Sequence, residues 1–235
     1  MVRSRKRILR KPFLRRIYEE WYDTIAAHLP DIEGPVLELG CGGGFLKERI
    51  DRYLATDIVK TPWIACAADG TALPFKSNRF RAIILVNVLH HLHDPYKFFT
   101  EAQRCLRQSG SILFIEPWVS GWSRFIFSTF HHEPFDPGVK KWRYDPVGPL
   151  SGVNNALPWI IFSRDRSHFE SQFPALRLER IEPFMPFRYL VSGGLRPFVL
   201  APASSNNLWK AIERRFSGSM NSWAMFAFIE IVKTG

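Results

Sequence analysis

Three glycines alternate along the short stretch VLELGCGGG, at positions 40, 42 and 44 of the chain. They follow an apolar run that contains one acid, Glu38. Glycine at a strand-to-helix turn lets a ligand approach the backbone closely, and the start of the next helix favours a negative group. A dinucleotide site needs a small residue where Phe45 stands, and the phosphate-binding lysine pattern is absent. The spacing therefore disfavours NAD(P), FAD and nucleoside triphosphates.

One histidine cluster, HHLHDP, contains His90, His91 and His93. Neighbouring residues diverge on a helix, so we do not expect His90 and His91 to share a metal ion. These histidines are expected to serve the structure or to contact a cofactor, and the sequence predicts no metal site.

A second cluster, HHEPFDP, combines His131 and His132 with Glu133 and Asp136. Histidine with an orienting carboxylate is a common general base, so we predict His131 or His132 as the base and Glu133 or Asp136 as its partner. The alternative is a helix end, with the histidines near the last carbonyls and a proline stop after them.

The composition indicates one globular domain in a reducing compartment. The chain has 235 residues, of which 46% are hydrophobic. This suits a single core with a lid better than two full domains. Three scattered cysteines, Cys41, Cys66 and Cys105, form no CxxC pair, so we expect a cytoplasmic protein with no disulfide framework.

The positive charge is concentrated in an N-terminal arm. Eight lysines and arginines precede the first acid, Glu19, whereas the rest of the chain carries 24 cations against 22 acids. The arm lacks the unbroken apolar core of a secretory signal, and the chain has no stretch of the roughly 18 apolar residues that a membrane span needs. Three alternatives stay open: a solvated, frayed terminus, contact with anionic lipid at a membrane surface, or contact with nucleic acid phosphates.

The elements that must position these residues alternate between strand and helix. A period of four predicts an amphipathic helix from Pro12 to about Leu29, and residues 1–33 then form the arm and this helix. Residues 34–235 follow as one domain. Its predicted strands are Val36–Leu39, Tyr53–Thr56, Trp63–Ala67, Arg81–Val86 and Ser111–Ile115, and its predicted helices are Phe45–Ile50 and Asp94–Leu106. Such alternation predicts an α/β fold with a parallel sheet.

The rhythm breaks after Pro117. Residues 118–163 are rich in aromatic residues and prolines without a clear period, which predicts a lid or an acceptor pocket. A helix over Asp165–Phe173 and a strand over Leu176–Ile181 follow. A second insertion covers about 185–222, with a helix near Leu208–Arg215, and a long strand over Trp223–Val232 ends the chain.

In their order, these segments resemble the motifs of the class I S-adenosylmethionine-dependent methyltransferases, in the ubiquinone-biosynthesis-like (type 11) branch. The similarity covers about residues 34–117 through VLELGCGGG, the acid Asp57, ADGTALPF, FRAIILVNVLHHLHDP and LRQSGSILFIEP. The resemblance implies a Rossmann-like sheet, mostly parallel with an antiparallel last strand, that carries the aromatic-rich lid. It also implies S-adenosyl-L-methionine as the cofactor.

The resemblance implies a role for each matched residue. Glu38 orients the ammonium end, the three glycines border the methionine part, and Asp57 accepts the ribose hydroxyls. Adenine lies against Ile58 and near Asp69 and Gly70, and Asn87 stands where ligands bind in such sheets. Glu38 as a structural acid, and Asp57 and Asp69 as turn caps, remain the alternatives.

The acceptor is the least determined part. Asn87-Val88-Leu89-His90 stands where adenine N6 methyltransferases have an Asn/Asp-Pro-Pro-aromatic run, so DNA methylation is disfavoured. The aromatic lid and basic start favour O-methylation of a small-molecule, lipid or lipid-linked glycan acceptor, with possible contact between the arm and a membrane surface. A tRNA wobble-uridine methyltransferase and a non-catalytic cofactor-binding scaffold are the alternatives, and the sequence leaves the oligomeric state open.

Overall fold

A twisted sheet of seven strands forms the centre of the computed structural model, which describes residues 2–130, 133–144 and 153–235. The strand order is β3-β2-β1-β4-β5-β7-β6. The strands are β1 (Val36–Leu39), β2 (Tyr53–Asp57), β3 (Cys66–Ala67), β4 (Phe80–Val86), β5 (Leu106–Pro117), β6 (Leu176–Phe184) and β7 (Phe226–Lys233). Strands β1 to β5 are parallel, and β7 runs antiparallel to both β5 and β6. The predicted Rossmann-like sheet with an antiparallel last strand is confirmed.

The described helices surround the sheet. They are α1 (Val2–Arg10), α2 (Pro12–Ala27), α3 (Pro95–Cys105), α4 (Gly121–Phe130), α5 (Leu157–Trp159), α6 (Arg166–Gln172), α7 (Arg188–Val191), α8 (Asn206–Arg215) and α9 (Met220–Trp223). Helix α3 begins as its sequence indicates: the Asp94 carboxylate accepts from the Lys97 amide at 3.2 Å, and Pro95 occupies the first turn.

The helix predicted over Phe45–Ile50 is wrong, because only a single 3₁₀ turn, Leu46–Glu48, forms there. The chain leaves the glycine turn and must reach β2 by Tyr53, and Arg52 makes the final reversal with φ of +53°. The strand predicted over Trp63–Ala67 is likewise shorter, since the Trp63 indole turns back and donates to the Gly42 carbonyl at 3.0 Å.

The basic arm is folded, so the alternative of a frayed terminus is not what the structure shows. Ile8 of α1 is buried, and the Lys11 ammonium donates to the carbonyls of Ser192, Gly194 and Phe198 at 3.2, 2.8 and 2.7 Å. Burial and the nearby Arg7 charge lower the pKa of Lys11. Helix α2 then buries its apolar stripe on one face of the sheet.

Much of the aromatic content of residues 118–163 belongs to the core. Trp142 is buried and stacks on Tyr96 at 4.9 Å between ring centroids, and Phe162 packs edge-on against Phe99. The sequence predicts a lid or an acceptor pocket over this segment, and aromatic content alone does not distinguish either of them from a core layer. Among the described residues of this segment, those that line the cavity described below are Ile126, Phe127 and Phe130 of α4, with Glu133, Val153 and Asn155.

Across the described ranges, 2–130, 133–144 and 153–235, the structure contains no helix with the length and apolar character that a membrane crossing requires.

A buried ion-pair network joins α2, α7 and α8. The Arg188 guanidinium lies 2.6 Å from Glu213 and 2.7 Å from Glu20, and Glu213 also accepts the Phe187 and Arg188 amides. Removing the guanidinium would leave the Glu213 carboxylate buried without its cation.

We therefore expect Arg188→Met to lower the free energy of unfolding by about 3 kcal/mol, the usual cost of breaking one side of a buried pair. Urea denaturation measures this loss. Arg166→Met is the matched control, because Arg166 pairs with Glu170 on an exposed face and its removal should change little. Equal stability of the two variants would contradict the conclusion that the ion pairs of Arg188 stabilise this region.

Candidate active site

The glycine turn has the geometry that its sequence predicts. Gly40, Gly42 and Gly44 all adopt left-handed backbone conformations, with φ of +61°, +50° and +65°. A Cβ at Gly40 would lie 2.6 Å from the Val88 side chain, and one at Gly44 would lie 2.5 Å from Trp63. Side chains are therefore excluded by backbone conformation at all three positions and by space at two of them.

Glu38 is a buried acid at the end of β1. The Tyr53 hydroxyl donates to its carboxylate, and Tyr22 makes a second side-chain hydrogen bond to it. Burial raises the pKa of Glu38 to about 8, with a further increase from the Asp57 charge, against the opposing effect of both tyrosines. A nearby cationic ligand would favour the ionised form of such a buried acid.

Asp57 connects the glycine turn to the end of β2. Its two carboxylate oxygens accept the Gly42 and Val59 amides, each at 3.1 Å. The acid does cap a turn, and its remaining lone pairs leave acceptor capacity for a ligand. Ile58 follows it with its side chain 47% exposed, an unusual degree for an isoleucine beside a cavity.

The other predicted cofactor residues lie along the same edge. Asp69 accepts the Thr71 amide and hydroxyl, both at 2.8 Å, and so caps the DGT turn. Gly70 is buried beside it and Asn87 takes a left-handed conformation, φ +55°, at the end of β4. Asp69, Gly70 and Asn87 line one cavity with Glu38, Gly40, Gly42, Asp57 and Ile58. Gly44 is not among its lining residues and lies against Trp63. Their roles toward a cofactor stay predictions.

His90 and Glu116 form a buried pair at the adjacent ends of β4 and β5. The His90 Nδ1 atom lies 2.6 Å from one Glu116 oxygen, while the other oxygen accepts the Val88 and Leu89 amides, each at 2.7 Å. Since the Glu116 carboxylate can only accept, Nδ1 carries the proton and Nε2 is left as the basic nitrogen. This is the arrangement of an oriented general base.

His91 lies beside His90, with ring centroids 4.2 Å apart, because both stand on the 3₁₀ turn Leu89–His91. The expectation that their side chains diverge is therefore wrong. Burial, followed by the His90 charge, lowers the pKa of His91 to about 4, so its imidazole is neutral near pH 7. Its Nδ1 atom is buried without a hydrogen-bond partner among the residues that the structure describes.

The second predicted cluster is divided by the structure. Polar atoms of His90, His91 and Glu133 lie within 4.8 Å of one another, and Glu133 lines the cavity. Asp136 is not among the described lining residues, and its carboxylate accepts the Gly138 amide at 2.8 Å; its role beside a base stays a prediction. His131 and His132 lie outside the described residues.

The cavity has a volume of about 1310 Å³, more than the roughly 300–1,000 Å³ of most single-ligand pockets. One half is bordered by the acids Glu38, Asp57 and Asp69. The other half is mainly apolar and is lined by α4, the loop after α7 and the start of β7, including Ile126, Phe127, Phe130, Leu190, Phe198, Leu200, Met225 and Phe226. His90 and His91 line the same cavity, which thus has room for two ligands.

Sequence reasoning missed Glu116 and the tyrosines beside Glu38. Glu116 had a usable signal: it is an acid at the carboxyl end of an otherwise apolar inner strand, where ligands meet parallel sheets. Tyr22 and Tyr53 had none, because their approach to Glu38 depends on how α2 crosses the sheet.

Comparison with known proteins agrees with this architecture. The sequence model of a methyltransferase domain family, type 11, matches residues 37–114. No protein of curated function matches the chain by sequence.

Solved structures share the fold. Geranyl diphosphate C-methyltransferase from Streptomyces coelicolor A3(2), in complex with Mg²⁺, geranyl diphosphate and S-adenosyl-L-homocysteine, is 13% identical with a TM-score of 0.56, over 94% of this chain and 82% of that one. A complex of the Haloferax volcanii Trm112 methyltransferase activator with a putative methyltransferase is 12% identical with a TM-score of 0.55, over 92% of this chain and 90% of that one. A putative methyltransferase from Bacillus halodurans C-125 is 14% identical with a TM-score of 0.51, over 90% of this chain and 98% of that one.

The glycine turn, the sheet order and the matched segment agree: residues 37–114 are similar to the type 11 methyltransferase domain family, and they lie in a sheet with the fold of solved methyltransferases, which indicates an S-adenosylmethionine-dependent methyltransferase domain.

Proposed function

We propose that this protein transfers a methyl group to a hydroxyl of a small-molecule acceptor with a substantial apolar part, such as a lipid or a lipid-linked glycan. One observation carries the proposal: a single cavity joins an acidic half, a buried His–Glu pair and an apolar half. The protein would work in a reducing compartment such as the cytoplasm and meet a membrane surface through its basic N-terminal region.

The acidic half fits the cofactor's charge. Three acids, Glu38, Asp57 and Asp69, border it, whereas a dinucleotide would bring negative phosphates against them. We assign Glu38 to the ammonium group, Asp57 to the ribose hydroxyls, and Ile58 with Asp69 and Gly70 to the adenine. Gly40, Gly42, Gly44 and Asn87 would border the remaining parts.

The helix expected to face the cofactor's carboxylate is absent, since only the turn Leu46–Glu48 forms. A cation stands near this place instead. The Arg5 guanidinium donates to the Gly43 carbonyl and lies 4.6 Å from the Phe45 ring centroid. Helix α1 therefore supplies positive charge beside the glycine turn.

The bound cofactor supplies an electrophilic methyl group, and the protein supplies alignment and a base. In the proposed step His90 Nε2 would take the proton of the acceptor hydroxyl as the hydroxyl oxygen bonds to the methyl carbon. The carbon–sulfur bond of the cofactor would break at the same time, and its electron pair would stay on the sulfur as a neutral thioether. Glu116 holds the imidazole in the required tautomer and stabilises the imidazolium that results. The pair thus takes the role that the sequence assigned to His131 or His132 with Glu133 or Asp136.

The function is tested by incubating the protein with methyl-labelled S-adenosylmethionine and a cell extract, which is then divided into lipid, small-molecule, RNA and protein fractions. We expect the label in the lipid or small-molecule fraction, bound in a form that resists alkaline hydrolysis. Label confined to RNA would replace the proposal with the tRNA alternative. Cofactor binding without label in any fraction would favour the scaffold alternative.

We expect Glu116→Gln to lower kcat at least a hundredfold, within the range of about 10²–10⁴ that a general base contributes. The glutamine oxygen can still accept the Val88 and Leu89 amides, but its amide group would donate to His90 Nδ1 and shift the proton to Nε2. Single-turnover kinetics on the identified acceptor measure the effect, and cofactor affinity should be retained. His168→Gln, a change at an exposed histidine that is not part of the cavity lining, is the control. A wild-type rate in Glu116→Gln would remove the pair from the reaction.

Cofactor affinity is expected to rise with pH from about 6 to about 8 and then level off. In the free protein Glu38 holds its proton up to about pH 8, and it must release that proton to accept from the cofactor's ammonium group. The increase should approach tenfold per pH unit well below pH 8. Titration calorimetry at pH 7 in buffers of different ionisation enthalpy measures the released proton. Glu38→Gln should abolish both the release and the slope; a slope retained in that variant would assign it to another group.

A further inference from the structure

Three consecutive large apolar residues are exposed at the mouth of the cavity. Phe198, Val199 and Leu200 are 44, 47 and 64% exposed, and Pro197 and Pro202 flank them. Runs of three exposed apolar residues are uncommon on a protein that faces only water, and they indicate a binding surface. We call residues 192–202 the mouth loop.

The mouth loop is held in place by a buried cation. Lys11 donates to three of its carbonyls, and a Cβ at Gly193 would lie 2.1 Å from the Phe198 carbonyl oxygen. Arg7 of α1 donates to the Leu195 carbonyl at 2.6 Å. The exposure of the apolar tip therefore results from defined contacts, at the expense of burying a lysine.

The apolar surface extends to α4. Phe125 and Phe130 are exposed, with ring centroids 6.1 Å apart, and the Arg196 guanidinium donates to the Phe130 carbonyl. Phe130, Phe198 and Leu200 all line the cavity. The apolar tip is thus continuous with the apolar half of the site.

Three segments beside the mouth carry charge of one sign. Residues 2–18, 117–130 and 188–205 together contain eleven lysines and arginines and not one aspartate or glutamate. Lys11 and Arg188 are buried, but Lys6, Arg7, Arg10, Arg124 and Arg196 are exposed. Apolar side chains surrounded by exposed cations match the interface of a bilayer that contains anionic lipid.

We infer that the mouth loop and α4 dock this protein on anionic membranes, with Phe198, Val199 and Leu200 inserted at the interface and the exposed arginines on the headgroups. The cavity would then open toward the bilayer, so that an apolar acceptor enters without crossing water. The entry of an apolar acceptor rests on the proposed function. The docking surface itself is inferred from the geometry of the mouth.

Vesicle binding tests the inference without cofactor or acceptor, so its outcome is separate from that of methyl transfer. Sedimentation with vesicles of phosphatidylcholine containing phosphatidylglycerol should recover the protein, with weaker binding to phosphatidylcholine alone and at high salt. Replacing Phe198, Val199 and Leu200 together by serine should weaken binding at least tenfold, since three buried apolar side chains are lost.

Leu208→Ser is the matched control. Leu208 is 62% exposed, like Leu200, but it lies on α8 and is not part of the cavity lining. It should bind vesicles as the wild type does. Failure of the wild-type protein to bind, or equal binding by the triple variant, would overturn the inference. Self-association that the triple serine replacement abolishes, in the absence of vesicle binding, would assign the surface to a second copy of the chain.

Discussion

The carboxylate of Glu116 is the point on which the geometry of the site depends. It stands at the end of β5, is fully buried, and binds the Val88 and Leu89 amides with one oxygen and His90 with the other. An ionised acid is costly to bury, and three donors offset that cost. The same three contacts fix the turn after β4, set the tautomer of His90, and keep this proposed base at the edge of the sheet. The reactive group is therefore positioned by strands of the core and not by the segment above it.

The sheet could be predicted from the sequence because its signals are local. Apolar strands, a capped helix after Asp94 and a glycine turn after β1 each depend on a few neighbouring residues, and all were found. The failure at Phe45–Ile50 has a physical reason: its apolar spacing is compatible with a helix, but the distance from the glycine turn to β2 leaves room for only one turn. Connection length, which is a property of the sheet, overrode local preference.

The candidate site divides in the same way. Glu38, Asp57, Asp69 and the glycines stand in order along the chain and could be predicted from their motifs, although the sequence does not show that Glu38 meets Tyr22 and Tyr53. The His90–Glu116 pair joins residues 26 positions apart, and the contacts of Lys11 span more than 180. Such pairs depend on how elements cross, so the sequence offered the histidine clusters as candidates without showing which of them meets a buried acid.

Charge is separated across the cavity, and this separation connects the arm to the site. Glu38 and Asp57 are buried in the acidic half, where burial makes the Glu38 carboxyl hold its proton more strongly, as its raised pKa shows. Binding of a cationic ligand is favoured beside these acids, whereas binding of a negative ligand is disfavoured there. At the mouth, Phe198 and Leu200 are exposed apolar side chains and Arg7 and Arg196 are exposed cations; α1 contributes Arg7. The basic N-terminal region, which in composition looks like a separate tail, is thus part of one arrangement of charge. In this arrangement a positively charged ligand is favoured at the acidic half of the cavity, and an amphiphilic ligand is favoured at the mouth.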